Sequence, residues 1–182
     1  MPEWDDREII KAVKIPGQEE IAFNQLVQKY QERLYWHIRK IVVSHDDADD
    51  VLQNTMIKIW KSLGDFRSES GLYTWLYRIA TNESLSFLKL KKKKSFAPWV
   101  DVEQRLGEDL EADPWFNGDE IQMKLQKAIL KLPDKQRIVF NMKYFDEIKY
   151  EDMSKILGTS VGALKASYHH AVKKIESMLG GD

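Results

Sequence analysis

Read at 100° per residue, the apolar positions of this chain fall at helical spacing in one block after another. Residues 5–14 form a short amphipathic pattern closed by Pro16-Gly17, a turn signal. From Glu19 to Val43 the apolar positions Ile21, Leu26, Tyr30, Leu34, Ile38 and Ile41 predict a long helix. Ser44-His45-Asp46-Asp47 breaks that pattern and can cap a following helix. There Ala48, Leu52, Thr55, Met56, Ile59 and Leu63 gather on one face. A polar connector, Gly64–Gly71, leads to a second helix whose core stripe reads Leu76, Ile79, Ala80, Phe87 and Leu90. Residues 95–118 hold two prolines, two glycines and no sustained period, the mark of a linker. Periodicity returns at Asp119 with Ile121, Leu125, Ala128, Ile129 and Leu132, then stops at Pro133. A helix over 134–144 carries Ile138, Val139 and Met142, with Phe145 just beyond. A short helix ending at Leu157, a Gly158-Thr159 turn and a helix opened by Ser160 complete a helix-turn-helix pattern. On that last helix Val161, Leu164, Tyr168, Ala171, Val172, Ile175 and Leu179 face inward. The expected fold is all-α: two small helical domains, 1–94 and 119–182, joined by an acidic linker, the C-terminal domain a helix-turn-helix.

The outward faces carry the candidate chemistry. On the helix after Ser44, Asp50, Gln53, Asn54 and Lys61 surround Ile57. Either Ile57 is one of the scattered apolar residues of any surface, or the arc docks on another protein. On the next helix Trp75, Arg78, Asn82 and Lys89 recur at spacings of three, four and seven, running into Lys91–Lys94. An indole, a guanidinium, an amide and an ammonium in one row can stack on bases and pair with phosphates. Lysines at a helix end also suit the helix dipole and stay solvated. In the last helix Gly162, Ala166, His169, His170 and Lys173 face outward, with Lys165 at the edge. Small residues there allow close approach to a major groove, the lysines pair with phosphates, and the histidines donate to phosphates or bases. The adjacent histidines have no third ligand at helical spacing, so no metal site is expected.

Composition narrows the class. Of 182 residues 43% are hydrophobic and 31% charged, as in a soluble globular protein. No apolar run is long enough to span a bilayer, and MPEWDDREIIKAVK does not read as a secretory signal. Zero cysteines leave no disulfide or thiolate chemistry, which fits a cytoplasmic protein. The net charge of −1 hides two blocks of +2 (1–94 and 119–182) flanking a connector of −5 (95–118). The overall balance is therefore no argument against nucleic acid.

The phrases DADDVLQNTMIKIWKSL, FRSESGLYTWLYRIATN and KLKKKK resemble conserved region 2 of bacterial sigma factors, in the small extracytoplasmic-function class. LPDKQRIVFNMKYFDEIKYEDMSKILGTSVGALKASYHHAVKKI resembles conserved region 4 of the same sigma-70 family, in the same order along the chain. The resemblance implies a promoter-specificity subunit for core RNA polymerase that uses no cofactor and performs no catalysis. It assigns Asp50, Gln53, Asn54, Ile57 and Lys61 to the polymerase. Phe66, Arg67, Ser68, Trp75, Arg78, Asn82 and Lys89 go to a single-stranded minus-ten element, the loop and Asn82 forming a pocket for a flipped base. Ser160, Gly162, Lys165, Ala166, His169, His170 and Lys173 go to a duplex minus-thirty-five element. Many members carry arginine where this chain has Ser167, His170 and Val172. The resemblance further implies an anti-sigma factor, often membrane-bound, and a linker that threads through the polymerase; Trp99, Trp115 and Phe116 are its candidate docking residues. An ordinary helix-turn-helix regulator is the rival, but it has no need of the Trp75/Arg78/Asn82 row. A nuclease or other enzyme would need a spaced acidic cluster with a positioned base, and none is found.

Overall fold

The computed structural model describes residues 3–94, 107–108 and 119–181. Most of the expected linker, with Trp99, Trp115 and Phe116, lies outside the described residues. The described residues build helices and connecting turns, without a strand.

Helix α1 (Asp6–Val13) opens on a reciprocal cap. The Glu8 N–H donates to the Asp5 carboxylate at 2.8 Å, and the Asp5 N–H to Glu8 at 2.7 Å. The Tyr30 hydroxyl of α2 (Glu19–Val42) donates to Asp6 at 2.8 Å, fixing α1 on the longer helix. Leu26, Leu34, Ile38 and Ile41 of α2 are wholly buried, while Ile21 in its first turn is not. The chain reverses in two residues. Val43 takes φ 71° and the Ser44 N–H donates to the Val42 carbonyl at 2.9 Å, so α3 (His45–Ser62) starts at once. Ser44 caps α3, and Ala48, Val51, Leu52, Thr55 and Ile59 form its buried face.

Helix α4 (Leu72–Lys94) packs on both α2 and α3. Its buried positions step by four, Leu72, Leu76, Ala80, Ser84 and Leu88, so the stripe slants around the helix as its partners cross. For that reason Leu90, expected in the core, is 57% exposed. Thr55, Thr81 and Ser84 lie in this core with their hydroxyls donated to the carbonyls of Val51, Tyr77 and Ala80 at 2.7–2.8 Å. Each is therefore buried without an orphaned polar atom.

The C-terminal half comprises α5 (Glu120–Leu130), α6 (Asp134–Tyr144), α7 (Tyr150–Leu157) and α8 (Val161–Leu179). Gly158 closes α7 at φ 65°, a conformation that glycine adopts without steric cost, and Ser160 caps α8. Helices α5 and α6 pack on α8 through Ala128, Ile129, Leu132, Phe140, Ala171 and Ile175. Burial in α5 begins only past its first turn, so Ile121 is 75% exposed rather than part of the stripe.

The halves are not independent. Helix α6 meets α2 and α7 lies on α4, and Ile138, Val139, Met142, Ile148, Met153, Ile156 and Leu164 join one apolar cluster with Leu34, Ile38 and Leu76. Polar contacts follow the seam. Asn141 Nδ2 donates to the Lys40 carbonyl and Arg137 Nη2 to the Ile41 carbonyl, each at 3.3 Å. Buried His37 contacts Thr81 through Nε2 at 2.8 Å and Asp146 through Nδ1 at 3.4 Å, and Lys40 pairs with the same carboxylate. Burial pushes the His37 pKa below its ordinary value, although Asp146 opposes that shift. Burial also works against the Asp146 carboxylate, but His37 and Lys40 outweigh it and its pKa falls. The His37 hydrogen bond and the Lys40 charge together favour the ionised Asp146 carboxylate.

Candidate nucleic-acid interface and docking face

The loop before α4 builds a small cavity. A 3₁₀ turn over Leu63–Asp65 directs Phe66 inward, where it is buried. Ser68 turns the loop at φ 56°, a left-handed conformation uncommon outside glycine. Trp75, in the first turn of α4, packs on Phe66 with ring centroids 5.1 Å apart. The indole is half-buried rather than fully outward, because Phe66 props it. Asp65, Phe66, Arg67, Glu69, Ser70, Thr74, Trp75, Arg78 and Lys155 line a cavity of about 390 Å³. Two aromatic rings beside guanidinium groups suit an unstacked base and its phosphate: rings offer a stacking face and Arg67 and Arg78 offer charge.

Arg78, at the cavity wall, and Asn82 and Lys89 beyond it are exposed along one side of α4. Asn82 is one turn past Arg78, about 6 Å along the helix, and does not line the cavity. Ser68 belongs to the same loop but is likewise absent from the wall. Lys155, which comes from α7, is a wall residue that sequence spacing missed; no local pattern links it to a loop so far away in the chain. Glu83, between these residues, pairs with Lys58 of α3 and ties the two helices together.

On α3, Asp50, Gln53, Asn54, Ile57 and Lys61 are all exposed. Ile57 shows 46% of its surface to solvent. Trp60, one turn on, is equally exposed and meets Phe23 edge-on at 5.1 Å between centroids. Its spacing of three from Ile57 was the available sign that it shares this face. Two large apolar side chains on a charged arc mark a docking surface better than one alone.

On α8, Gly162, Lys165, Ala166, His169, His170 and Lys173 are exposed. The Ser160 oxygen accepts from the Ala163 N–H at 3.3 Å, so its side chain is engaged in capping. Lys165 lies over the Tyr150 ring, 5.8 Å from its centroid, at the edge between α7 and α8. The His169 and His170 rings are 6.0 Å apart and tilted by 59°. The three faces are thus separate, on α3, on the loop and α4, and on α8.

Comparison with known proteins identifies the family. Residues 26–94 match the family described as Sigma-70 region 2, and residues 122–175 match Sigma-70, region 4. The chain is 31% identical to the RNA polymerase sigma-H factor of Pseudomonas aeruginosa over 87% of this chain and 86% of that one. It is 31% identical to the ECF RNA polymerase sigma factor SigW of Bacillus subtilis over 93% and 94% of the two chains. Identity to the ECF RNA polymerase sigma-E factor of Escherichia coli is 28%, over 86% of this chain and 85% of the other. Among solved structures, the fold resembles CnrH in complex with the cytosolic domain of CnrY. The TM-score is 0.70 and identity 23%, covering 97% of this chain and 98% of the other. It also resembles the sigma factor RpoE in complex with the anti-sigma factor NepR from Bartonella quintana. There the TM-score is 0.67 and identity 24%, over 88% and 98% of the chains.

Proposed function

We propose how the surfaces of this chain divide the work of initiation from one premise: it belongs to the sigma-70 family, as an RNA polymerase sigma factor of the extracytoplasmic-function class. A chain of this family is a transcription initiation factor, so each face needs a partner in polymerase or in promoter DNA. Residues 1–94 serve as the unit for polymerase and the minus-ten element, 119–182 as the unit for the minus-thirty-five element, and 95–118 as the connector.

The α3 arc docks on core polymerase. Ile57, with Trp60 beside it, supplies the desolvated anchor, and Asp50, Gln53, Asn54 and Lys61 set the register. The α8 face enters the major groove of the upstream element. Its Gly162 and Ala166 let backbone and groove approach, while Lys165 and Lys173 neutralise phosphates and His169 and His170 reach phosphates or base edges. Ser160 acts there through its cap, which aims the first N–H groups of α8.

Strand separation falls to the loop and α4. Extruding a base costs a few kcal/mol of unstacking. Stacking on Trp75, backed by Phe66, and phosphate pairing by Arg67, Arg78 and Lys89 offset that cost. Asn82, one turn past Arg78 and off the cavity wall, reads a base edge at the mouth of the pocket. No bond is made or broken by this chain; the polymerase makes RNA.

The observation that carries this reading is the row Trp75–Arg78–Asn82 beside an aromatic cavity, on a face separate from the α3 anchor. Two solved relatives of like fold are complexes with CnrY and with the anti-sigma factor NepR. By analogy an anti-sigma factor, in or at the membrane, holds this chain inactive in the cytoplasm. No helix among the described residues is long and apolar enough to cross a membrane. The test is transcription from a random promoter library by core polymerase with and without the chain. A shared upstream and downstream motif among the transcribed members is expected. Duplex binding by the chain alone, with no change in polymerase start sites, refutes the reading in favour of an ordinary regulator.

A further inference from the structure

We propose that the cavity before α4 is also a binding site for a free guanine nucleotide. The base lies on the Trp75 ring, the phosphate among Arg67, Arg78 and Lys155, and the donor edge of the base on the carboxylates of Asp65 and Glu69. The promoter reading above puts a flipped base in the same cavity, and this inference rests on that reading for its stacking surface. That reading leaves Asp65, Glu69 and Lys155 without a task, although all three line the wall. Their charges are the first support. Three cations and two carboxylates surround one cavity of about 390 Å³, yet among the described residues no ion pair joins them. On the same helices opposite charges do meet, Lys58 with Glu83 and Lys91 with Asp47. A wall that keeps both signs unpaired suits a ligand that is anionic at one end and carries N–H donors at the other. A nucleotide is such a ligand.

The choice of base follows from the acceptors. An ionised carboxylate accepts and cannot donate. Guanine alone among the common bases presents two N–H donors side by side, on N1 and N2, matching the two oxygens of one carboxylate. Uracil and thymine flank a single donor with two carbonyls, which a carboxylate repels. Size sets the number of units. Small-molecule sites run from about 300 to 1,000 Å³, so this cavity takes one nucleotide and not a run of strand. The site is also complete without DNA. Phe66 already props Trp75 at 5.1 Å between centroids, Ser68 already turns the loop at φ 56°, and Lys155 of α7 already stands at the wall. Preformed stacking and charge lower the ordering cost of binding. A nucleotide in the cavity excludes the flipped base, so its concentration sets the apparent affinity for the minus-ten element.

The test is magnetic resonance of the isotope-labelled full chain titrated with GMP, UMP, ribose 5-phosphate and inorganic phosphate. The readout is the Trp75 indole N–H signal, assigned through Trp75→Phe. GMP should bind with a dissociation constant on the order of 0.1–1 mM, and UMP roughly tenfold more weakly. Trp75→Ala should weaken GMP by about 5- to 150-fold, read from the remaining cavity signals. Arg78→Ala and Lys155→Ala, at exposed positions, should each weaken it several-fold and cover the case in which Trp75→Ala fails to fold. Asp65→Asn/Glu69→Gln should narrow the preference for GMP over UMP. Lys14→Ala, exposed and outside the cavity, should change nothing. GMP that moves no cavity signal by about 10 mM overturns the proposal. So does GMP bound no better than ribose 5-phosphate or UMP, since charge alone would then account for it. Promoter opening that persists in a chain unable to bind GMP refutes this inference alone. A chain that binds GMP and directs no transcription counts against the promoter reading instead.

Discussion

Ile57→Asp isolates the docking face because its cost in the free chain is small. The side chain is already 46% exposed, and Asp for Ile in a helix costs only a few tenths of a kcal/mol. Docking would bury the exposed half of an aliphatic side chain, worth about 1 kcal/mol when full burial is worth about 1.5–3 kcal/mol. An aspartate must in addition give up water against an apolar partner, at about 1–3 kcal/mol. The sum, about 2–4 kcal/mol, corresponds to a roughly 30- to 700-fold loss of affinity for core polymerase. The assay is competition against a fluorescently labelled wild-type chain, with melting temperature measured alongside. Ile121→Asp is the control. Ile121 is 75% exposed but belongs to α5, so affinity should stay unchanged. If Ile57→Asp binds within about threefold of wild type at unaltered melting temperature, the reasoning fails, since a desolvated anchor cannot be replaced by a carboxylate at that price.

Asn82→Ala should leave polymerase affinity intact while altering base preference in the downstream element by about 1–3 kcal/mol per affected contact; equal open-complex formation on every promoter variant would remove Asn82 from the interface. Lys165→Ala should weaken upstream binding and lower the slope of log affinity against log salt by about 0.9; an unchanged slope rules out the phosphate contact. Acid should loosen the seam. The closed-state pKa of His37 lies below the ordinary 6.5, so the open form binds more protons in that window. Closure is thus fully supported above about pH 6.5 and lost as pH falls through the depressed pKa. Asp146, also depressed, adds support that vanishes only at still lower pH. The groups facing His37 are Asp146, Lys40, Thr81 and the Tyr77 ring. The distance between spin labels at Ser86→Cys on α4 and Ser177→Cys on α8, both exposed positions, should lengthen from about pH 7.5 to about pH 5.5, and His37→Gln should flatten that response; a pH-independent distance in the otherwise unaltered chain contradicts the linkage.

Helix order, nearly every boundary and the family were legible along the chain, because each depends on local signals. Periods of three and four place core stripes, Ser44 and Ser160 cap the helices that follow them, and Pro16-Gly17 and Gly158 interrupt the pattern. The three exposed faces were legible for the same reason, since a helix wheel shows which residues share a side. What the wheel could not show is which partner lies against that side. Leu90 was placed beside Leu76 by angle, but the crossing of α4 with its neighbours rotates the buried stripe away from it. Trp75 was expected outward, yet Phe66 from the preceding loop half-covers it. Asn82 shares a face with the cavity residues but stands clear of its wall, whereas Lys155 reaches that wall from another half. The seam itself, with His37 buried against Asp146 and α2 capped by Asn141 and Arg137, joins residues about a hundred positions apart. Such contacts carry no spacing rule. They exist only once packing has chosen which helix ends meet, and that choice belongs to the tertiary structure.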